Sequence, residues 1–206
     1  MWRASDWEFT KDPAHAAGPM WMDDIHVQAI YRICCACGFR HVLEVGCFDG
    51  FSTSGIVQAK IEGHIGRLTC VDREIRPALM RVLGKARDNW IAWQDNGADV
   101  ISECSTCDLV VIDSDHDMAT TQREWAAFGV NDFVTLIAHD VGSKGGCPGP
   151  QWLLQEIGND GAWHILVDEK PREGMRTDRG LMFATLSLRV FVQASRVWPE
   201  GRAVAR

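Results

Sequence analysis

The chain has 206 residues, 46% of them hydrophobic and 24% charged, with a formal net charge of −7. Such a chain can bury a core as one domain without help from disulfides or metals. Its negative balance speaks against nucleic acid, which selects clustered Lys and Arg, and no apolar run reaches the ~20 residues that span a bilayer. The first residues, MWRASDWEFTKDPAH, carry acids where a secretory signal needs an apolar core, so a cytoplasmic protein is expected.

In chain order, residues 1–18 are polar, rich in Trp and Pro, and read as irregular. From Met20 to Cys37 apolar residues recur at helical spacing (Ile25, Ala29, Ile30, Ile33), and Gly38 is a suitable stop. HVLEVG (41–46) reads as a strand and CFDGFSTSGIVQAKI as a turn entering a helix. RLTCVD (67–72) is a second strand, 76–87 a helix, and Trp90–Gln94 a short strand. DLVVID (108–113) and DFVTLIAHD (132–140) are almost continuously apolar, as strands buried on both faces should be, with a helix near Met118–Phe128 between them. Residues 151–158 read as a helix, and 162–167 and 180–188 as strands. The alternation predicts an α/β fold: a Rossmann-like, doubly wound sheet of seven strands, mostly parallel with the last antiparallel, covered by helices on both faces.

Residues 1–37 read as an N-terminal segment and helix, 38–188 as the main domain, and 189–206 as either a homodimer-contacting extension or a frayed end. Of eight cysteines, Cys104 and Cys107 form a CxxC and Cys34, Cys35 and Cys37 end the first helix. Zinc would require the two groups to converge. Reduced, buried thiols are the favoured expectation.

In such sheets ligands bind beyond the carboxyl ends of the strands. Those ends are unusually polar here: Gly46–Gly50, Asp72, Asp95–Asn96, Asp113–His116 and His139–Asp140. In Glu44-Val-Gly46-Cys47-Phe48-Asp49-Gly50 the glycines allow a tight turn and a close backbone approach to a ligand. The GxxxG spacing is not the GxGxxG of dinucleotide sites, and an acidic strand end suits a cationic head better than a pyrophosphate. Asp72 is placed either to accept from a ribose diol or to cap a helix. Asp95-Asn96-Gly97 could equally be an ordinary turn. Acids and histidines at two adjacent strand ends, Asp113-Ser114-Asp115-His116 and His139-Asp140, are costly to gather unless a cation or substrate compensates them. The plain alternative is that they close and orient loops.

The glycine segment resembles motif I of class I S-adenosylmethionine (SAM) dependent methyltransferases. The pair IDxDH and HDV resembles the small metal-dependent O-methyltransferases of macrolide-sugar and catechol type. The resemblance covers about residues 38–188 and implies that residues 1–37 cover the substrate side. It implies a cofactor site made of Glu44, Gly46, Cys47, Phe48, Asp49, Gly50, Ser52, Asp72, Asp95, Asn96, Asp113 and Ser114, with Asp95 and Asn96 at the adenine. It implies a divalent cation on Asp113 and Asp140, with His139 as a third ligand. Hard oxygen donors suit Mg²⁺, whereas the imidazole, standing where relatives carry an acid, opens the site to Mn²⁺ or a softer metal. His116 becomes the general base and Asp113 its catalytic partner, acting on a small-molecule hydroxyl.

Two other activities compete: an NAD-dependent oxidoreductase, and a non-catalytic SAM-binding module. The loop Gly142–Pro150 is rich enough in Gly and Pro to act as a lid or simply as a connector, with Lys144 and Trp152 within reach of a substrate. Trp2, Trp7 and Trp21 are expected to pack on core, partner or substrate.

Overall fold

The alternating apolar runs assemble into one sheet with a layer of helices on each face. The computed structural model describes residues 2, 22, 24–129, 135–142, 146–159, 164–168 and 179–198, and the backbone of 202–204. The elements are α1 (Asp24–Cys37), β1 (His41–Val45), α2 (Phe51–Ile61), β2 (Arg67–Asp72), α3 (Pro77–Leu83) with a following 3₁₀ turn (Gly84–Ala86), β3 (Trp90–Gln94), α4 (Gly97–Glu103), β4 (Leu109–Ile112), α5 (Met118–Gly129), β5 (Thr135–His139), α6 (Pro148–Asn159), β6 (His164–Asp168), β7 (Leu181–Thr185), α7 (Leu188–Ser195) and β8 (Arg202–Val204).

The strand order is β3-β2-β1-β4-β5-β7-β6-β8. Strands β1 to β5 pair in parallel. β7 runs antiparallel to both β5 and β6, and β8 antiparallel to β6. The doubly wound, mostly parallel sheet is therefore as expected, with one strand more than the seven predicted. That strand lies in the tail, which also folds α7, capped by Ser187 Oγ accepting from Val190 N–H. Three residues of strand and eight of helix leave little periodicity to detect.

Successive strand residues face opposite layers. Val42, Leu109, Val111 and Ile137 pack with α1, α2, α3 and α7, whereas Leu43, Val45, Val110, Ile112, Leu136 and Ala138 pack with α4, α5 and α6. Each fully buried aliphatic side chain is worth about 1.5–3 kcal/mol, so both layers hold the sheet in register.

Several boundaries differ from expectation. Helix α1 starts at Asp24, and Gly38 ends it with φ 67 and an N–H donating to Cys34 O at 3.0 Å. Helix α4 was not anticipated, because Asn96-Gly97 looks like a turn; Asn96 is instead the N-cap, its Oδ1 accepting from Ala98 N–H at 3.1 Å. Helix α6 begins at Pro148, inside the loop taken as lid or connector, since Pro is tolerated in a first helical turn. Residues 143–145, with Lys144, lie outside the described residues, as do Trp7 and Trp21. Trp152 packs against the α4–α6 core, and Trp2 packs on Tyr31 with ring centroids 4.9 Å apart.

Cys104 and Cys107 are joined in a disulfide, not reduced as expected, because the turn ending α4 brings them together. The six other cysteines lie outside that disulfide. Among the described residues no metal-capable group unites the CxxC with Cys34, Cys35 or Cys37; its neighbour is His41, Nδ1 3.6 Å from Cys107 Sγ. Among the described residues no helix is long and apolar enough to cross a membrane.

Candidate active site

The sheet order reverses between β1 and β4, and there the chain leaves the two strands in opposite directions. A cavity of about 560 Å³ opens beyond their carboxyl ends. Val45 pairs with Ile112, so Gly46 and Asp113 leave the sheet side by side. Gly46 has φ 83, and a Cβ there would lie 2.2 Å from Asp113 O. Only glycine fits that junction.

Of the residues predicted for a cofactor, Gly46, Cys47, Phe48, Ser52, Asp72, Asp95, Asn96, Asp113 and Ser114 line this cavity. Asp72 accepts from Phe48 N–H at 2.7 Å and from Glu74 N–H at 3.1 Å, so its carboxylate ties the glycine loop to the end of β2. Asp95 Oδ1 accepts from Asn96 N–H at 2.7 Å.

Three predicted residues do not line the cavity. Gly50 precedes α2 with φ 92. Asp49 pairs with Arg76 at 3.7 Å. Glu44 is fully buried beneath the loop, where Cys70 Sγ donates to its Oε2 at 3.4 Å. Burial raises Glu44 to about 7 despite the hydrogen bonds of Ser52, Thr53 and Cys70. A strand alternates its side chains between faces, so a residue two before the loop can point under it.

β4 and β5 bring together Asp113, His116, His139 and Asp140; Asp113, His116 and Asp140 line the cavity, and His139 is buried behind them. His116 Nε2 lies 3.0 Å from Asp140 Oδ2 and 3.6 Å from Asp113 Oδ1, without the alignment of a hydrogen bond. His139 Nδ1 lies 3.2 Å from Asp113 Oδ1 and 3.4 Å from Asp140 Oδ2. Asp140 adopts φ 59 where the chain leaves β5, a conformation rarely used by non-glycine residues.

The electrostatics follow from this packing. The carboxylates of Asp113 and Asp140 push His116 up to about 10, against its partial burial. Burial lowers His139, but the same two carboxylates more than offset it, to about 9. Burial would raise Asp140, yet His116 and His139 hold it far below the usual carboxylate range. Asp113 is likewise depressed, burial notwithstanding, by His139 and His116.

The donor set fits a divalent cation. Asp113, His139 and Asp140 each offer a ligand atom within 4.8 Å of the others', and so do His116, Asp140 and Cys147. Among the described residues the buried His116 Nε2 makes no aligned hydrogen bond, only its ion pairs with Asp140 and Asp113.

Several cavity residues escaped the sequence reading. Glu124 accepts from Ser114 Oγ at 2.7 Å and is raised to about 7 by burial. Its signal was available: Thr120, Glu124 and Phe128 repeat every fourth residue, placing an acid on the buried stripe of α5. Arg73 pairs with Asp115 across the mouth, and Arg76 stacks 3.8 Å over Phe48. Met22, Cys147 and Arg179 also line the cavity. Nothing local in sequence marks these last three.

Residues 43–141 match a family model described as a methyltransferase domain. No curated protein matches the chain by sequence. Among solved structures it is similar to an O-methyltransferase from Bacillus cereus in complex with S-adenosylhomocysteine (SAH), at 12% identity, 88% of this chain, 90% of that one and TM-score 0.67. It is similar to the O-methyltransferase TomG from Streptomyces achromogenes, involved in tomaymycin synthesis and solved with SAM, at 12% identity, 88% of each chain and TM-score 0.65. It also resembles spermidine synthase from Thermotoga maritima at 11% identity, 90% of this chain, 70% of that one and TM-score 0.58. These likenesses are of fold, and the methyltransferase-domain model matches residues 43–141 of the chain.

Proposed function

We propose that the chain is a SAM-dependent methyltransferase acting on a hydroxyl oxygen of a small molecule. One observation carries this reading: the glycine loop, Asp72 and Asp95–Asn96 line the same cavity as His116 and Asp140. The names of the similar structures, two of them solved with SAM or SAH, support it. The net charge of −7 favours a small acceptor over nucleic acid.

Bound SAM supplies an electrophilic methyl group on a sulfonium. Asp72 would orient the ribose, Asp95 and Asn96 the adenine edge, and Gly46, Cys47, Phe48 and Ser52 the amino-acid end. Asp113 and Ser114 flank the position between cofactor and acceptor. The acceptor hydroxyl gives its proton to His116 as oxygen attacks carbon, and the C–S electron pair returns to sulfur. His116 can do so only after losing its own proton, which Asp113 and Asp140 hold tightly. An acceptor or cation that engages those carboxylates would release it.

Asp113, His139 and Asp140 are the residues that would hold a divalent cation, Mg²⁺ or a softer one, which would add Lewis acidity at the acceptor oxygen. For the rest, the protein contributes position and charge.

The test is calorimetric titration with SAH, with and without Mg²⁺, and with NAD as control. SAH binding that is lost in Asp72→Ala supports the reading. Binding of NAD instead, or of neither, removes it.

A further inference from the structure

The cation ligands proposed above include one histidine where oxygen would be the simpler choice, and that histidine is gripped from behind. His26, in the first turn of α1, lies 2% exposed, and its Nδ1 is 3.0 Å from His139 Nε2. The two rings meet edge to face, with centroids 5.0 Å apart. His139 therefore uses both ring nitrogens: Nε2 toward α1, Nδ1 toward Asp113 and Asp140.

A histidine that ligates a cation has exchanged a proton for it and is neutral, with one N–H and one lone pair, and the partner of one nitrogen decides the state of the other. If His139 Nε2–H donates to His26 Nδ1, the lone pair on His139 Nδ1 faces two carboxylate oxygens, 3.2 and 3.4 Å away. Three electron-rich atoms in so small a space call for a cation between them. In the opposite arrangement His139 Nδ1 carries a proton, donates to Asp113, and closes the site.

We propose that His26 is a positioning residue of this cation site: it holds His139 so that Nδ1 faces Asp113 and Asp140, and thereby builds a mixed nitrogen and oxygen site. Such a site takes a divalent transition ion of the Mn²⁺, Co²⁺ and Zn²⁺ class through an imidazole that adds little for Mg²⁺. Cys147, within reach of His116 and Asp140, adds a sulfur that points the same way. The inference rests on the reading of Asp113, His139 and Asp140 as cation ligands.

The experiment loads the full-length protein with Mn²⁺ and looks for ¹⁴N modulation of its electron spin echo, then measures Co²⁺ affinity by titration of its visible absorption. The wild type should show nitrogen modulation, which His139→Asp should abolish while shifting selectivity toward Mg²⁺. His26→Leu should weaken Co²⁺ binding by roughly 10- to 100-fold, the usual cost of losing a residue that orients a ligand. His26→Gln, whose side-chain oxygen can still accept from His139, should restore most of it. SAH affinity, measured on every variant, reports the fold and the cofactor site.

Bound Mn²⁺ without nitrogen modulation, or equal Co²⁺ affinity in wild type and His26→Leu, overturns the inference. Intact SAH binding with no cation bound at all also overturns it, and leaves the methyltransferase reading standing. Loss of SAH binding in the wild type would instead strike at that reading.

Discussion

His116 Nε2 stands 3.0 Å from Asp140 Oδ2, although the two residues leave different strands of the sheet. Because Asp113 and Asp140 hold the His116 proton up to about 10, the cation-free protein should transfer methyl groups slowly at neutral pH and faster as pH rises. Adding Mn²⁺ or Mg²⁺ should move that rise to lower pH by engaging the same carboxylates. The check is a pH–rate profile of SAH formation with a hydroxyl acceptor. His116→Gln should cut kcat by about 100- to 10,000-fold and leave SAH affinity unchanged. A profile that ignores the substitution would remove His116 as base.

Asp72 is expected to accept from the ribose while tying down the glycine loop through Phe48 N–H. Losing charge-assisted hydrogen bonds worth about 1.5–3 kcal/mol each, Asp72→Ala should weaken SAH binding on the order of 100-fold or more by calorimetry. Asp72→Asn should fall between.

Gly97 begins α4 against the floor of the cavity. A Cβ there would lie 2.3 Å from Val45 Cγ1 and 2.8 Å from Glu124 Oε1. Gly97→Ala should therefore cost about 1–3 kcal/mol in denaturant unfolding and lower SAH affinity as well. An unchanged unfolding midpoint would mean the contact relaxes freely.

Stability should vary with pH in a way set by two opposed groups of residues. Glu44 is raised by burial from 4.5 to about 7, so the folded state binds its proton more tightly than the unfolded chain does. Stability must then fall as pH rises from about 4.5 to 7, by about 3 kcal/mol for this residue. Glu124 adds a fall in the same window. Glu44→Gln should flatten this slope and raise Tm at pH 8 more than at pH 5.

The cluster acts on either side of that window. His116 and His139, raised to about 10 and 9, contribute stability that is full below about 6.5 and lost as pH rises through those values. Asp113 and Asp140 are depressed, so their contribution is present above about 4 and lost in acid. Cation-free Tm should peak between about pH 4 and 6, and Asp113→Ala, which removes the larger influence on both histidines, should reduce the alkaline decline more than Asp140→Ala does. Differential scanning calorimetry across pH 3–10 is the measurement.

By itself the sequence determined the order of strands and helices, because apolar runs such as Leu109–Ile112 and the glycine turn at Gly46 are local signals. It also placed Asp72, Asp95, Asn96, Asp113 and His116 at strand ends, since a parallel sheet puts every such end on one side. Helix α4 and the tail strand were too short to carry a period. Only the tertiary structure decided which polar groups face one another: Glu44 turned under the loop, Glu124 turned up from α5, and His26 reached His139 from 113 residues away. Those pairings depend on how helices seat on the sheet. No spacing along the chain encodes that seating, because burial forces distant polar groups to find each other only once the layers close.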